Sequence, residues 1–135
     1  MIDKEVIKIA SNTENHGVLD NHTHFSKLKN AICGDEMKIY LLIKNNTNTN
    51  FKYKCESCIY CQASVSLLSK NAKNKSIEKV KKFAEQAINI FEKNLQSFDK
   101  EWKEFNKIIK KNNISRKECL LLPFKTVAKA LNYKL

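Results

Sequence analysis

The stretch CGDEMKIY, residues 33–40, places a cysteine, a glycine and an acid directly before a strand pattern. Gly34 is one of only two glycines in 135 residues, and it separates Cys33 from Asp35. The strand pattern runs from Met37 to Lys44, which is rich in residues that favour β-structure. The stretch therefore predicts a loop that carries a thiol and a carboxylate and leads into a strand.

Two further extended segments flank this strand in the sequence. The first is His22–Leu28, and the other begins at Phe51, after the polar turn NNTNTN at residues 45–50. Short extended segments joined by such turns are typical of an antiparallel meander. The sequence therefore predicts three antiparallel strands.

Helical spacing of apolar residues marks most of the remaining chain. Residues 3–10, DKEVIKIA, predict a short N-terminal helix, and Ile59–Ser69 predicts a second helix. Ser76 is a suitable N-cap for a long amphipathic segment that follows. The apolar positions of that segment alternate spacings of three and four residues: Ile77, Val80, Ala84, Ala87, Phe91, Leu95, Phe98, Trp102, Phe105 and Ile109.

This long segment predicts either one helix or two in sequence. A break within Ser97–Asp99 suits a compact domain better than a single long helix does. Asp99 would then be the N-cap of a second helix. A coiled-coil dimer is the competing interpretation, but aromatic residues at the seam favour a globular core.

Further on, Ser115 and Glu118 form a capping-box signature before the last apolar run. Pro123 leaves two alternatives: the last helix starts at Pro123, or a short turn carrying Cys119 precedes it.

These patterns together predict one α+β domain over residues 1–135. A small antiparallel three-stranded sheet packs against several helices, and the C-terminal half is rich in helix. No apolar run is long enough to span a membrane, and the N-terminal residues contain no signal-peptide core. We therefore expect a cytoplasmic protein.

The chain is strongly basic, with 25 Lys and Arg against 14 Asp and Glu and a formal net charge of +11. Clustered basic residues attract polyanions, and proteins that bind single strands combine them with aromatic residues. Here the lysines are scattered along the chain, without the interleaving of aromatic and basic residues that is used for stacking on bases. Nucleic-acid binding is therefore not expected.

Five cysteines in a reducing compartment indicate metal or redox chemistry more than disulfides. CESCIYC, residues 55–61, contains two overlapping CxxC pairs, but a zinc finger would need a second pair, and no βαβ pattern supports a thioredoxin-like site. A site assembled from separate loops remains. His22 and His24 are interpreted as surface histidines, with a transient metal-entry contact as the alternative.

Three motifs in this order resemble the iron-sulfur cluster assembly scaffold family, which comprises the NifU N-terminal domain, IscU and SufU. The motifs are NAICGDEMKIYLLI around Cys33, FKYKCESC with ASVS shortly after it around Cys58, and RKECLLLPFKTVAKAL around Cys119. The interval of 61 residues between the last two cysteines resembles SufU more than the shorter IscU form. Glu118, where IscU proteins carry a histidine, points the same way.

The resemblance implies a site formed by Cys33, Asp35, Cys58 and Cys119. These four ligands suit Zn²⁺ or a transient 2Fe-2S cluster. The resemblance further implies that Cys33 accepts persulfide sulfur from a PLP-dependent cysteine desulfurase of the SufS, IscS or NifS type, and that recipient apo-proteins take the product. Gly34 would permit the tight turn that points its two neighbours into one site.

Some positions depart from the family pattern. Ala31 replaces a proline, Ser57 replaces a glycine, and Cys55 and Cys61 are additional. The additional cysteines are interpreted as small buried or incidental residues, since free cysteine behaves mostly as a compact hydrophobe. The alternative is that one of them replaces Cys58 as a ligand or serves as a persulfide relay.

The expected function is a cluster scaffold or a zinc-bound sulfur acceptor without catalytic activity of its own. Any catalytic activity would be that of a zinc-dependent sulfurtransferase. The alternative is a structural zinc protein whose basic surface binds RNA or another protein. Lability of the metal distinguishes the two, because structural zinc sites are closed and support folding outright.

Overall fold

The computed structural model describes residues 3–93 and 98–132. It confirms the α+β class, with an antiparallel sheet and a C-terminal half built from helices. The elements follow in the order α1 (Lys4–Ala10), β1 (His24–Lys29), β2 (Glu36–Lys44), β3 (Thr47–Glu56), α2 (Ile59–Ala72), β4 (Lys75–Ser76), α3 (Ile77–Glu92), two 3₁₀ segments (Lys100–Lys107 and Lys111–Arg116) and α4 (Lys117–Ala130).

Among the described residues, the sheet has four strands in the order β1-β2-β3-β4, one more than the sequence predicts. The additional strand is the two-residue β4, which pairs Ser76 with Thr47 in β3. A strand of two residues has no alternation that a sequence pattern could detect. The turn before β3 is also shorter than expected, because Asn45 and Asn46 alone make it, with φ angles of 52° and 62°. Asparagine tolerates this left-handed backbone, so two residues are enough for the turn. β3 therefore begins at Thr47 and not at Phe51.

The described part of the long amphipathic segment forms two elements. α3 ends at Glu92, and the next helical turn begins at Lys100 as a 3₁₀ segment in which Trp102 lies outside helical geometry. Asp99 precedes it but makes no capping bond, and its side chain instead accepts a hydrogen bond of 2.7 Å from Gln86. Ser97 and Leu95 lie outside the described residues.

The apolar residues of these two elements pack within the chain. Phe83 of α3 stacks on Trp102 with ring centroids 4.0 Å apart and meets Phe105 edge-on at 4.5 Å. All three side chains are buried in one core with the inner face of the sheet. This packing agrees with the globular core that the aromatic residues predict.

The last helix contradicts both sequence alternatives, because α4 begins at Lys117 and contains Pro123 in its interior. Ser115 therefore precedes the helix and does not cap it, and Arg116 occupies the N-cap position without a side-chain bond. Proline has no N–H to donate to the carbonyl four residues earlier, which is that of Cys119. Burial of apolar side chains along the helix offsets this loss: Leu120, Leu121, Leu122, Phe124 and Val127.

Hydrogen bonds between elements fix α4 against the rest of the core. Ser64 of α2 donates to the carbonyl of Leu120 over 2.6 Å, and Ser26 of β1 donates to the carbonyl of Thr126. α4 consequently lies against both α2 and the strand that enters the Cys33 loop. No helix in the described ranges combines the length and the apolar composition needed to cross a bilayer.

The outer face of the sheet carries basic and aromatic side chains together. The strand register places Lys27 opposite Lys38 and Lys38 opposite Lys54, and the next row places Phe25 opposite Tyr40. These residues are separated along the chain and meet only through strand pairing. Aromatic and basic residues therefore adjoin on the outer face of the folded sheet.

Candidate metal centre

The loop between β1 and β2 is held closed by its own backbone. The N–H of Asn30 donates to the carbonyl of Asp35 over 2.7 Å, and the N–H of Gly34 donates to the carbonyl of Asn30 over 2.8 Å. Gly34 adopts a φ of 76°, in the left-handed region that favours glycine. A β-carbon there would meet no atom within 4 Å, so the backbone angle and not lack of space requires glycine.

Cys33 and Asp35 from this loop meet Cys119 from α4. One ligand atom from each of the three lies within 4.8 Å of the other two, and the sulfurs of Cys33 and Cys119 are 3.9 Å apart. Cys33 is exposed, whereas the other two residues are buried. The fold thus brings together two thiols and a carboxylate with one side open to solvent.

Asp35 is 7% exposed and has one satisfied carboxylate oxygen. Its Oδ1 accepts a hydrogen bond of 3.3 Å from the N–H of Cys58, while its buried Oδ2 has no partner among the described residues. A buried carboxylate oxygen without a partner is costly, and a bound cation would satisfy it. Thiols beside a carboxylate are also a suitable donor set for zinc or for iron in a cluster, so the residues present fit such a group.

Cys58 lies beside this group as the N-cap residue of α2. Burial raises the pKa of the Cys119 thiol, and the neighbouring Cys58 and Cys33 raise it further. Cys58 thus donates its backbone N–H to Asp35 and raises the pKa of Cys119, although its sulfur is not part of the compact group of three. Its assignment as a fourth ligand stays a prediction.

The additional cysteines occupy different environments. Cys61 is fully buried in α2, and burial raises the pKa of its thiol. Cys55 is half-buried on β3, where burial raises its pKa and the hydroxyl of Ser57 partly offsets the effect. Burial, with a smaller contribution from Cys55, also raises the pKa of Tyr53 to about 12. The thiols of Cys55 and Cys61 therefore favour the neutral form, which is a poor nucleophile.

His22 and His24 make local contacts. The Nδ1 of His22 donates to the carbonyl of Leu19 over 2.7 Å, and its ring packs edge-on against Tyr40. His24 lies within 2.8 Å of the hydroxyl of Thr23. Neither histidine belongs to the group of possible ligands found among the described residues.

The sequence patterns missed one feature of the site, the exposed side chain of Ile32 next to Cys33. Ile32 is 82% exposed and borders a groove of about 260 Å³ between the loop and α4. An isoleucine in a loop carries no sequence signal for exposure, because its surroundings come from a helix far along the chain.

Comparison with known proteins places this arrangement in a family. The NifU-like N-terminal domain matches residues 1–108, a range that includes Cys33, Asp35 and Cys58 and ends before Cys119. The resemblance seen in the sequence motifs is thereby confirmed. An uncharacterized protein of Borreliella burgdorferi is 31% identical over 134 residues, which cover 98% of this chain and 84% of that protein.

Two further similarities concern proteins with described roles. The iron-sulfur cluster assembly scaffold protein IscU of Thermotoga maritima is 28% identical over 134 residues, covering 97% of this chain and 92% of that protein. A crystal structure from Fervidobacterium islandicum, described as a cluster assembly scaffold for the SUF system, has a TM-score of 0.87. It is 24% identical and covers 96% of each chain, so it supports the fold.

Proposed function

The chain belongs to the NifU-like N-terminal domain family, and we propose that it is an iron-sulfur cluster assembly scaffold that accepts sulfur at Cys33. The observation that carries the proposal is the group of Cys33, Asp35 and Cys119, whose ligand atoms lie within 4.8 Å of one another. The relative named as a scaffold aligns over nearly the whole chain, which supports the same role here. The sulfur donor is a PLP-dependent cysteine desulfurase, and recipient apo-proteins take the product.

The proposed ligands are Cys33, Asp35, Cys58 and Cys119. A zinc ion bound by them would keep the cysteines as thiolates at neutral pH, against the burial that raises the pKa of Cys119. A 2Fe-2S cluster would be cargo at the same residues. Asp35 is the hardest donor in the set, so it is the ligand that a soft metal holds least strongly.

Sulfur acceptance uses the exposed thiolate of Cys33. This thiolate attacks the terminal sulfur of the donor persulfide, the S–S bond of the donor breaks, and the donor cysteine leaves as a thiolate. Cys33 then carries the persulfide, and the proton of the terminal sulfur stays where it was. No oxidant or reductant is consumed. Asp35 and Cys119 are buried, so Cys33 is the thiol of the group that a protein donor reaches most readily.

The exposure of Cys33 also favours a scaffold over a structural zinc protein with a basic binding surface. Structural zinc sites are closed, whereas a site that exchanges sulfur or a cluster must present a ligand to its partner. One of the three ligands here lies at the surface beside an open groove. The basic surface alone, without this site, would favour the alternative.

Persulfide mapping tests the proposal. The chain is mixed with a cysteine desulfurase and cysteine, digested, and analysed by mass spectrometry. We expect the additional sulfur on Cys33, and none at that position in a Cys33→Ala variant, while Cys61→Ala accepts sulfur normally. Sulfur found only on Cys55 or Cys61 would contradict the assignment of the acceptor.

The metal content provides a second test. We expect about one Zn²⁺ per chain in the purified protein, because three thiolates and a carboxylate complete a tetrahedral set. Elemental analysis measures it. A folded and fully reduced sample without metal would count against the ligand set.

A further inference from the structure

Three aromatic side chains meet on the outer face of the sheet. The ring centroids of Phe25 in β1 and Tyr40 in β2 lie 4.9 Å apart, and the ring of His22 lies 5.4 Å from that of Tyr40. Phe25 is nevertheless 44% exposed. Because it belongs to a regular strand and has two rings beside it, Phe25 presents an ordered aromatic surface to solvent.

Lysines adjoin these rings in two rows of the sheet. Lys52 of β3 lies opposite Tyr40 in the same row. The next row is entirely basic and consists of Lys27, Lys38 and Lys54. Lys27 pairs with Glu36 over 3.6 Å. The ion pairs among the described residues include none that involves Lys38, Lys52 or Lys54.

The basic row opposes folding, because like charges that face each other across strands destabilise a sheet. Lys38 faces a lysine on each side, one in β1 and one in β3. A bound polyanion would neutralise this repulsion. The row is therefore better suited to holding a ligand than to stabilising the sheet.

An acidic edge separates these rows from the Cys33 loop. The row nearest the loop places Glu36 between Lys29 and Glu56. Strand residues advance about 3.3 Å each, so the row of Tyr40 lies roughly 13 Å further along the strands. The two carboxylates repel a polyanion, which keeps it away from the thiol of Cys33.

We propose that the outer face of the sheet is a binding platform for single-stranded RNA. The platform consists of Phe25, Tyr40, Lys38, Lys52 and Lys54. A base stacks on the exposed ring of Phe25, and the lysines bind the neighbouring phosphates. This function goes beyond cluster assembly and does not depend on it.

The chemistry of the platform favours an unpaired strand over other anions. Each nucleotide offers a flat base and a phosphate together, whereas an acidic peptide offers charge alone and a duplex keeps its bases stacked inside. RNA exposes unpaired bases in its loops and ends, so it is the strand that we assign. Arg116, the one arginine of the sequence, lies over the ring of Tyr60 in α2 and not on this face. Binding should therefore show little dependence on base sequence, because the platform has no arginine to read base edges.

This assignment differs from what the order of residues along the chain indicates. The rings belong to β1 and β2, while the lysines come from β2 and β3. Strand pairing alone places them on one surface. The combination of stacking and charge is thus a property of the folded sheet.

Fluorescence anisotropy of a labelled cytidine-adenosine repeat RNA tests the platform. Phe25→Ala removes the stacking surface and should raise the Kd roughly tenfold. Phe25→Leu keeps an apolar side chain in the strand and should raise the Kd as much, whereas Phe25→Trp should bind as well as the unmodified chain. Ile7→Ala, on α1, is the matched control, since Ile7 is 45% exposed and its loss should leave the Kd unchanged.

Lys38→Gln and Lys54→Gln test the contribution of charge. The logarithm of the binding constant should fall with the logarithm of the salt concentration with a slope of about −2, since each lysine on a phosphate of a single strand contributes about 0.7. Each variant should weaken binding and reduce the magnitude of the slope by about 0.7. Lys8→Gln, on α1, removes the same charge and should leave the slope unchanged.

Four results would overturn the proposal. Equal weakening in Lys8→Gln and Lys38→Gln would mean that net charge alone holds the RNA. Unchanged binding in both Phe25→Ala and Phe25→Leu would exclude stacking. Duplex RNA that binds as tightly as the single strand would exclude it as well, because paired bases do not reach the ring. The absence of binding at low salt would also overturn it.

Other occupants give separate results. Polyglutamate, vesicles containing phosphatidylglycerol and the DNA strand of the same sequence are measured beside the RNA. Tighter binding of any of these, lost in Phe25→Leu, would assign the platform to that partner and overturn the proposal. Sulfur acceptance at Cys33 should be the same in every platform variant as in the unmodified chain. Its failure in the unmodified chain would contradict the proposed function and leave the result with RNA standing.

Discussion

Asp35 is the residue at which the loop, the helix and the proposed ligand set meet. One of its oxygens orients the first turn of α2 through the N–H of Cys58, and the other is buried without a partner among the described residues. The same side chain thus has a structural role, through Oδ1, and an unpartnered oxygen, Oδ2, that is suited to bind a metal ion. Substitutions that remove one of these properties at a time separate the two roles.

Replacing Asp35 should slow the release of zinc or a cluster from the site and leave the three cysteines in place. Asp35→Ala removes the hard donor, so zinc or a cluster should be retained while transfer to an acceptor slows by about tenfold, which corresponds to 1.4 kcal/mol in the barrier. Asp35→Asn is the control, because its amide oxygen still accepts from Cys58. Zinc release to a coloured chelator and cluster transfer measure the effect. Faster metal loss with unchanged transfer would contradict this role.

The cysteine variants should divide into two groups. Cys55→Ser and Cys61→Ser should retain zinc, whereas Cys58→Ser should lose it, since Cys58 adjoins both Asp35 and Cys119. Cys61 is fully buried, so its serine variant should also lose about 1–3 kcal/mol of stability through an unpaired hydroxyl. Elemental analysis and denaturant unfolding measure the two effects. Loss of zinc in Cys61→Ser alone would mean that this cysteine, and not Cys58, is the ligand.

The two faces of the sheet differ in character: one is apolar and buried, and the other is basic and exposed. The inner face packs Met37, Ile39 and Leu41 against the helices. The outer face places Lys38 between Lys27 and Lys54. Directly opposed like charges destabilise a sheet, so this row opposes folding while the inner face drives it.

Neutralising the central lysine of the row should therefore stabilise the protein. Lys38→Thr should raise the free energy of unfolding by about 0.5 kcal/mol, because it removes two repulsive pairs and places a good strand former in β2. Lys52→Thr is the matched control, since Lys52 lies opposite Tyr40. Denaturant unfolding at low and high salt measures both variants. A gain as large in Lys52→Thr would show that strand propensity, and not charge, is responsible.

The net charge of +11 acts on any charged partner that approaches the protein. We expect the basic residues to steer an acidic partner through a field that salt screens over roughly 8 Å at physiological ionic strength. Transfer of sulfur inside a formed complex takes place over bonding distances and is much less sensitive to salt. Association and chemistry should consequently respond differently to ionic strength.

Stimulation of desulfurase turnover by this protein should require Cys33 and weaken as salt is raised. Stopped-flow mixing separates the association step, which salt should slow, from sulfur transfer within the complex, which it should affect less. Cys33→Ala is the variant and Cys61→Ala the control. Stimulation that survives Cys33→Ala would show that the protein acts by a route other than accepting sulfur.

The α+β class and the central strands could be predicted from the sequence, because alternation along β2 and helical spacing in α2 and α3 are local signals. The Cys33 loop could also be predicted, because three adjacent residues place a glycine between a thiol and an acid. Gly34 has the positive φ that such a turn needs. The family followed from the order of three motifs, which requires no coordinates.

Contacts between residues far apart in the chain could not be predicted in this way, because they depend on how the elements pack. Cys33 and Cys119 are 86 positions apart, and packing of α4 against β1 and α2 brings their sulfurs to 3.9 Å. The path of α4 through Pro123 depended on burial of the surrounding apolar side chains, which outweighs the local preference of proline for a helix start. The groove at Ile32 also arises from contacts between separate elements. Local patterns record the backbone preference of each segment, whereas exposure and proximity come from the packing of all segments at once.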